Sequence, residues 1–358
     1  MKNFDFDHIL LNYGLNPASV TMTEHKKGHI NDSYILEVDQ RCKLFLQRIN
    51  HHVFTDPEGL MDNLTRVDAA MKRNFGDKNP YPRVLPNRNK KYFHIDPQGN
   101  YWRMVEFVPD STSFDIAETA EVAREGAAAF GNFQQVMFKE NVTDYTPTIP
   151  DFHHLGKRLQ QLRDAIDRDA AGRVIDSRNE ITFALDRAEY AETLERLLRK
   201  KLVPIRVTHN DTKLNNVLFN KDTDMHICVV DLDTVMPGTV LYDYGDMVRT
   251  FTSPVEEDEP DPAKVVFRNE IFEALTQGYL SGLKESLTQG EKDNLLFGGK
   301  IMLLMIGVRF LTDYLEGDHY FKTSREHHNL VRSRNQFVLL AQIENQESAL
   351  KKIIRSYC

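Results

Sequence analysis

Apolar and polar residues follow two different rhythms along the chain. Asn31 to Asp39 and Lys43 to Ile49 alternate and are separated by a short polar turn, which predicts a pair of strands. Tyr92 to Ile95 and Tyr101 to Phe107 predict a second hairpin across Asp96-Pro97-Gln98-Gly99-Asn100. Between them, Leu60, Met61, Leu64, Val67, Ala70 and Met71 recur at helical spacing. Residues 1–106 therefore read as a small sheet with a packed helix.

From about Ser111 the rhythm becomes helical. Ala117 to Met137 and Asn179 to Lys200 predict long amphipathic helices, and 261–354 reads as helical again. Short β-type runs return only between Val203 and Asp233. Ile301 to Leu311 is the most apolar stretch; Gly307 and Arg309 interrupt it, and its length predicts a buried helix, not a membrane span. The pattern gives an α+β fold with a β-rich lobe over 1–107 and a larger helical lobe over 108–358. The join is expected near Glu106-Phe107-Val108-Pro109, where a strand runs into proline.

Composition narrows the class. The chain has 358 residues, 41 % hydrophobic, with a formal net charge of −8. That balance argues against nucleic-acid binding, which needs clustered Lys and Arg. Cys42, Cys228 and Cys358 are widely spaced, which fits a reducing cytoplasm and no zinc site. The start, Met1 to Asp7, has no apolar signal segment. No membrane association is expected, and a monomer is favoured.

The chemistry concentrates in Val207-Thr208-His209-Asn210-Asp211-Thr212-Lys213-Leu214-Asn215-Asn216, followed after a strand by Asp231-Leu232-Asp233. His-x-Asp-x-x-x-x-Asn is the spacing of a kinase catalytic loop. Asp211 is the candidate to receive the acceptor hydroxyl, since a carboxylate accepts hydrogen bonds and takes a proton late. Asn216 and Asp231 offer hard oxygens suited to Mg²⁺. Asp233 is either a second ligand or a turn residue, and His209 reads as structural. Gly28, in Lys26-Lys27-Gly28-His29-Ile30-Asn31, is placed to let a loop cover the phosphates, and Glu106 and Val108 are the hinge candidates for nucleotide contact. Asp243 or Asp246 is expected to cap a helix. The acidic run Glu256 to Asp261 reads as a solvated loop, and the pairs His51-His52, His153-His154 and His327-His328 as surface residues. Arg309, a cation in an apolar helix, either pairs with Asp313 four residues on or faces a substrate.

These motifs, with Asp231 to Gly238, Asp243-Tyr244-Gly245-Asp246 and Arg309 to Asp318, resemble the aminoglycoside phosphotransferase-like kinases, which share the bilobal protein-kinase-like fold. The Arg309 to Asp318 block is most similar to the branch that phosphorylates N-acetylhexosamines at the anomeric hydroxyl. The resemblance implies ATP and Mg²⁺ as cofactors, a small sugar as substrate, Asp211 as catalytic residue and Asn216 with Asp231 as metal ligands. It also implies acceptor contacts from His29, Asp211, Arg309 and Tyr320. One departure stands out: Gln47 occupies the strand position where protein kinases carry a phosphate-binding Lys. Mg²⁺, Lys26, Lys27 or Lys213 are the candidates to compensate. Kinases of other alcohols, and a pseudokinase, are the rival readings.

Overall fold

The alternating segments pair into an antiparallel sheet. The computed structural model describes residues 4–25 and 30–358, and its chain divides into two units. The first unit comprises Met1–Ser111, Glu140–Pro150 and Val230–Met236. It contains α1 (Phe6–Asn12), β1 (Val20–His25), β2 (Asp32–Val38), β3 (Cys42–Ile49), α2 (Pro57–Phe75), β4 (Val84–Leu85), β5 (His94–Ile95) and β6 (Tyr101–Glu106). The sheet order is β1-β2-β3-β6-β4, with β5 also on β6. The expected strands are present; α1 and β1 were not anticipated.

Alternation decides which face is dry. Tyr34 and Leu36 of β2, Leu46 of β3, and Trp102 and Met104 of β6 point to one side and bury against Ile9 and Leu10 of α1. Each such fully buried side chain contributes roughly 1.5–3 kcal/mol. The β5–β6 turn is closed by Asp96, whose carboxylate accepts from the backbone N–H groups of Gln98 and Asn100 and, at 2.9 Å, from Trp102 Nε1. Asp56 caps α2 by accepting the Gly59 N–H, with Pro57 at the first helical position.

The second unit comprises Thr112–Lys139, Asp151–Val229 and Pro237–Cys358. After β7 (Ser111–Thr112) come α3 (Ala120–Met137), α4 (Leu155–Arg168), α5 (Arg178–Leu185), α6 (Glu189–Arg199), β8 (Arg206–Thr208), β9 (Val217–Asn220), β10 (His226–Val229) and β11 (Met236–Gly238). α7 (Val240–Phe251), α8 (Asn269–Leu283), α9 (Gln289–Glu316), α10 (His328–Asn345) and α11 (Glu347–Tyr357) complete it. The helix expected over 179–200 is two helices, α5 and α6, broken at 186–188.

Helices here approach closely where glycine removes the side chain. A Cβ on Gly278 of α8 would lie 2.0 Å from the Arg124 carbonyl oxygen of α3, and one on Gly245 of α7 would lie 2.3 Å from the Gly298 carbonyl of α9. The apolar stretch around Ile301 belongs to α9, a 28-residue helix long and apolar enough to cross a membrane. Its most apolar window is 89 % buried within the protein, the place of a core helix.

Candidate active site

Asp211 follows β8 in a loop whose backbone is held from below by α7. Thr239 caps that helix, so Asp243 and Asp246 are not caps; both lie buried inside it. The Asp243 carboxylate accepts the backbone N–H of His209 at 3.0 Å and of Asn210 at 2.7 Å. Its own carbonyl accepts the Thr212 hydroxyl at 2.6 Å. Burial raises the Asp243 carboxyl to about 7, against the lowering effect of those two N–H groups, while Asp246 and Asp211 add to the rise. Asn210 adopts a left-handed backbone, φ 64°, and its carbonyl bonds His153 Nε2 at 2.8 Å. His209 is fully buried against Phe130 and Phe133.

Both oxygens of Asp211 are engaged. Lys213 Nζ lies 2.9 Å from Oδ1, and Asn216 Nδ2 donates to Oδ2 at 3.0 Å and to the Asp211 carbonyl at 2.9 Å. Burial pushes this carboxyl up, but Lys213, by charge and hydrogen bond, outweighs it, and the net shift is downward. Asp211 is therefore ionised and aimed. Because the Asn216 amide nitrogen is committed to Asp211, its oxygen is the atom that suits a cation. Deeper in the unit, Arg249 pairs with Asp246 at 2.8 Å and Glu257 at 2.5 Å.

In the first unit, Asp231 lies past the end of β10 in a left-handed conformation, φ 58°, and is exposed. Asp231 and Asp233 are thus not residues of one strand face. Asp233 is buried and accepts from Arg103 and, at 2.7 Å, from Asn31 Nδ2. Gln47 pairs across the sheet with Arg103, and its Oε1 accepts from Arg103 Nε at 2.9 Å. Arg48 faces the other way and meets Asp32 at 2.5 Å. Glu106 ends β6 with its carboxylate bound by Arg83, which holds it below its ordinary value. The Val108 carbonyl accepts the Ser111 hydroxyl at 2.7 Å. Lys26, Lys27, Gly28 and His29 lie outside the described residues.

Arg309 sits on α9 among aromatic rings. Its guanidinium carbon is 5.5 Å from the Phe152 ring, 5.8 Å from Tyr320 and 5.5 Å from Phe321. Tyr320 Oη is at 3.5 Å. Burial pulls the guanidinium below its ordinary value. No carboxylate among the described residues pairs with it, so the Arg309–Asp313 pair does not form; Asp313 binds backbone N–H groups instead. The acidic run is not a loose solvated loop, since Glu257 binds Arg249 and Asp258 binds Arg325 and His328. His153 and His328 are buried, unlike the surface residues expected, and burial pushes His153 down to about 4.

The profile of the phosphotransferase enzyme family matches residues 21–281. The chain belongs to that family. Solved structures with the same fold include a microcompartment-associated aminopropanol kinase (18 % identity, TM-score 0.66, covering 97 % of this chain and 98 % of that one). An amicoumacin kinase in complex with AMP-PNP and Ca²⁺ matches at 14 % identity and TM-score 0.64, covering 95 % and 94 %. A choline kinase from Cryptosporidium parvum Iowa II matches at 14 % identity and TM-score 0.60, covering 96 % of each chain. At such identities the likeness establishes a shared mixed α+β, kinase-like fold.

For a phosphotransferase, three residues described above were not anticipated in their observed roles. Asp243 or Asp246 is expected as a cap by the preference of Asp for helix starts, but the helix begins earlier, at Val240 with Thr239 as its cap. Arg103 carries no motif, and the absence of a Lys at Gln47 points only to Mg²⁺, Lys26, Lys27 or Lys213, not to this strand residue. Asp313 was noticed, but with the wrong partner.

Proposed function

We propose that this phosphotransferase transfers the γ-phosphoryl group of ATP to the anomeric hydroxyl of an N-acetylhexosamine. The observation that carries the chemistry is the ionised Asp211, fixed through one oxygen by Lys213 and through the other by Asn216. Asp211 orients the acceptor hydroxyl and takes its proton as the acceptor oxygen bonds to phosphorus and the bond to the ADP oxygen breaks. The sugar C1–O bond stays intact, so the anomer bound is the anomer released. Lys213 places a positive charge beside the reacting oxygens. Mg²⁺, when bound, offsets charge on the phosphates; the Asn216 oxygen and the Asp231 carboxylate are its proposed ligands.

Arg309 supports a neutral acceptor. Its guanidinium, paired with no carboxylate among the described residues and set against the Phe152 ring, offers donors to hydroxyl and carbonyl oxygens and repels an ammonium group. Tyr320 and His29 complete the proposed acceptor contacts, and Gly28, Glu106 and Val108 the nucleotide contacts. Glu106 has its carboxylate on the Arg83 side chain and its backbone N–H on the Arg83 carbonyl, while Val108 has its carbonyl on Ser111, so of these two residues the Val108 N–H is the group proposed to meet the nucleotide. Two solved relatives are named for aminopropanol and choline, which keeps a cationic alcohol as the second reading.

Phosphorus NMR of the product after incubation with Mg-ATP and N-acetylglucosamine or N-acetylgalactosamine tests the proposal. A sugar phosphate signal split by the anomeric proton, appearing with ADP, is expected. Phosphate on another hydroxyl, or turnover only with amino alcohols, overturns it.

A further inference from the structure

Asp313 gathers an unusual set of donors. Its Oδ1 accepts the backbone N–H of His319 at 3.0 Å and of Tyr320 at 2.7 Å; its Oδ2 accepts the N–H of Phe321 at 2.9 Å and Asn329 Nδ2 at 2.8 Å. Three successive N–H groups on one carboxylate fix the course of the chain just after α9 ends at Gly317, φ 101°. Tyr320 is 65 % exposed, so packing does little to hold its ring. Its backbone bond to Asp313 holds it in place, and Phe321 beside it is held by its own bond to Asp313 and by packing on Phe310, ring centroids 4.6 Å apart. Those two rings form two of the three aromatic walls around the Arg309 guanidinium, one helical turn earlier on the same helix. Asn329 ties the arrangement to α10 and also donates to Asp318 at 2.8 Å, whose other oxygen meets Arg173 at 2.6 Å.

We infer that Asp313 is a positioning residue of the acceptor site, setting acceptor affinity by holding Tyr320 and Phe321 around Arg309 without touching the acceptor. The inference rests on the proposed role of Arg309 and Tyr320 as acceptor contacts. Asp313→Asn keeps the shape of the side chain but gives it an amide nitrogen that cannot accept two of the four donors. Steady-state kinetics of the full chain, varying acceptor and ATP separately, read the result.

Acceptor KM is expected to rise ~10-fold or more, with kcat and the KM for ATP within about 2-fold of wild type. A folded Asp313→Asn variant with unchanged acceptor KM overturns the inference, as does an equal loss against both substrates. Should Asp313→Asn not fold, Asn329→Ala leaves the carboxylate in place and removes one donor; a rise of ~3-fold in acceptor KM alone is expected. No change there overturns the inference. If wild type turns over an alcohol other than an N-acetylhexosamine, the functional reading fails while the same split, measured with that alcohol, still decides the role of Asp313. ADP release with no alcohol at all overturns both.

Discussion

Arg103 and Asp233 form a buried ion pair between residues 130 positions apart, with side chains only 4 % and 2 % exposed. The pair joins the second residue past the candidate metal ligand Asp231 to the centre of the sheet. Gln47, Asn31 and the Thr148 hydroxyl, which bonds the Asp233 carbonyl at 2.8 Å, complete its surroundings. The segment that carries Asp231 is thereby fastened by Arg103, Asn31 and Thr148, with Gln47 holding Arg103 in place.

Removing one partner leaves the other charge buried and unpaired. Arg103→Met or Asp233→Leu should each cost ~3–5 kcal/mol of folding stability, and the double replacement should cost less than the sum of the two single changes. Urea titration followed by circular dichroism measures this. Additive single and double effects would show that the two charges do not interact.

Asp243 makes stability depend on pH. Its carboxyl is raised from 3.8 to about 7, foremost by burial. Between those values the folded state holds a proton that the unfolded chain releases, so this group's contribution is full below 3.8 and is lost as pH rises through about 7. Asp243→Asn removes the titration, and its stability relative to wild type should climb with pH across that window. Denaturant midpoints of both proteins over the window provide the check; parallel curves would refute the assignment.

Lys213 is expected to act on rate more than on folding. Its ammonium lies 2.9 Å from the carboxylate proposed to take the acceptor proton, and its side chain is partly open to solvent. Lys213→Met should lower kcat by ~10²-fold, with a thermal midpoint close to wild type. Stopped or discontinuous ADP-release assays beside calorimetry separate the two effects. A midpoint loss with normal turnover would make Lys213 a structural residue.

Local patterning made much of the fold legible. The alternation at 31–49 and 101–107 and the periodicity at 60–71 are short-range features, set by side-chain period, whereas the full extent of α2, Pro57–Phe75 with Asp56 as its cap, comes from the structure. The break between α5 and α6 escaped because periodicity continues across it: Ile181, Leu194 and Leu197 stay on buried faces. The return of Glu140–Pro150 and Val230–Met236 to the first unit has no signature in either segment.

The candidate site divides in the same way. The candidate residues Asp211 and Asn216 share one loop five residues apart, so their spacing is written in the sequence, while Asp231 follows only after β9 and β10. Partnerships were decided by tertiary structure. Asp233 belongs to Arg103 and Asp313 to the 319–321 backbone, while Asp243 belongs to the backbone of the catalytic loop. A carboxylate's choice among donors depends on which ones the packed chain brings within about 3 Å and away from water, and neither distance nor burial is written in local sequence.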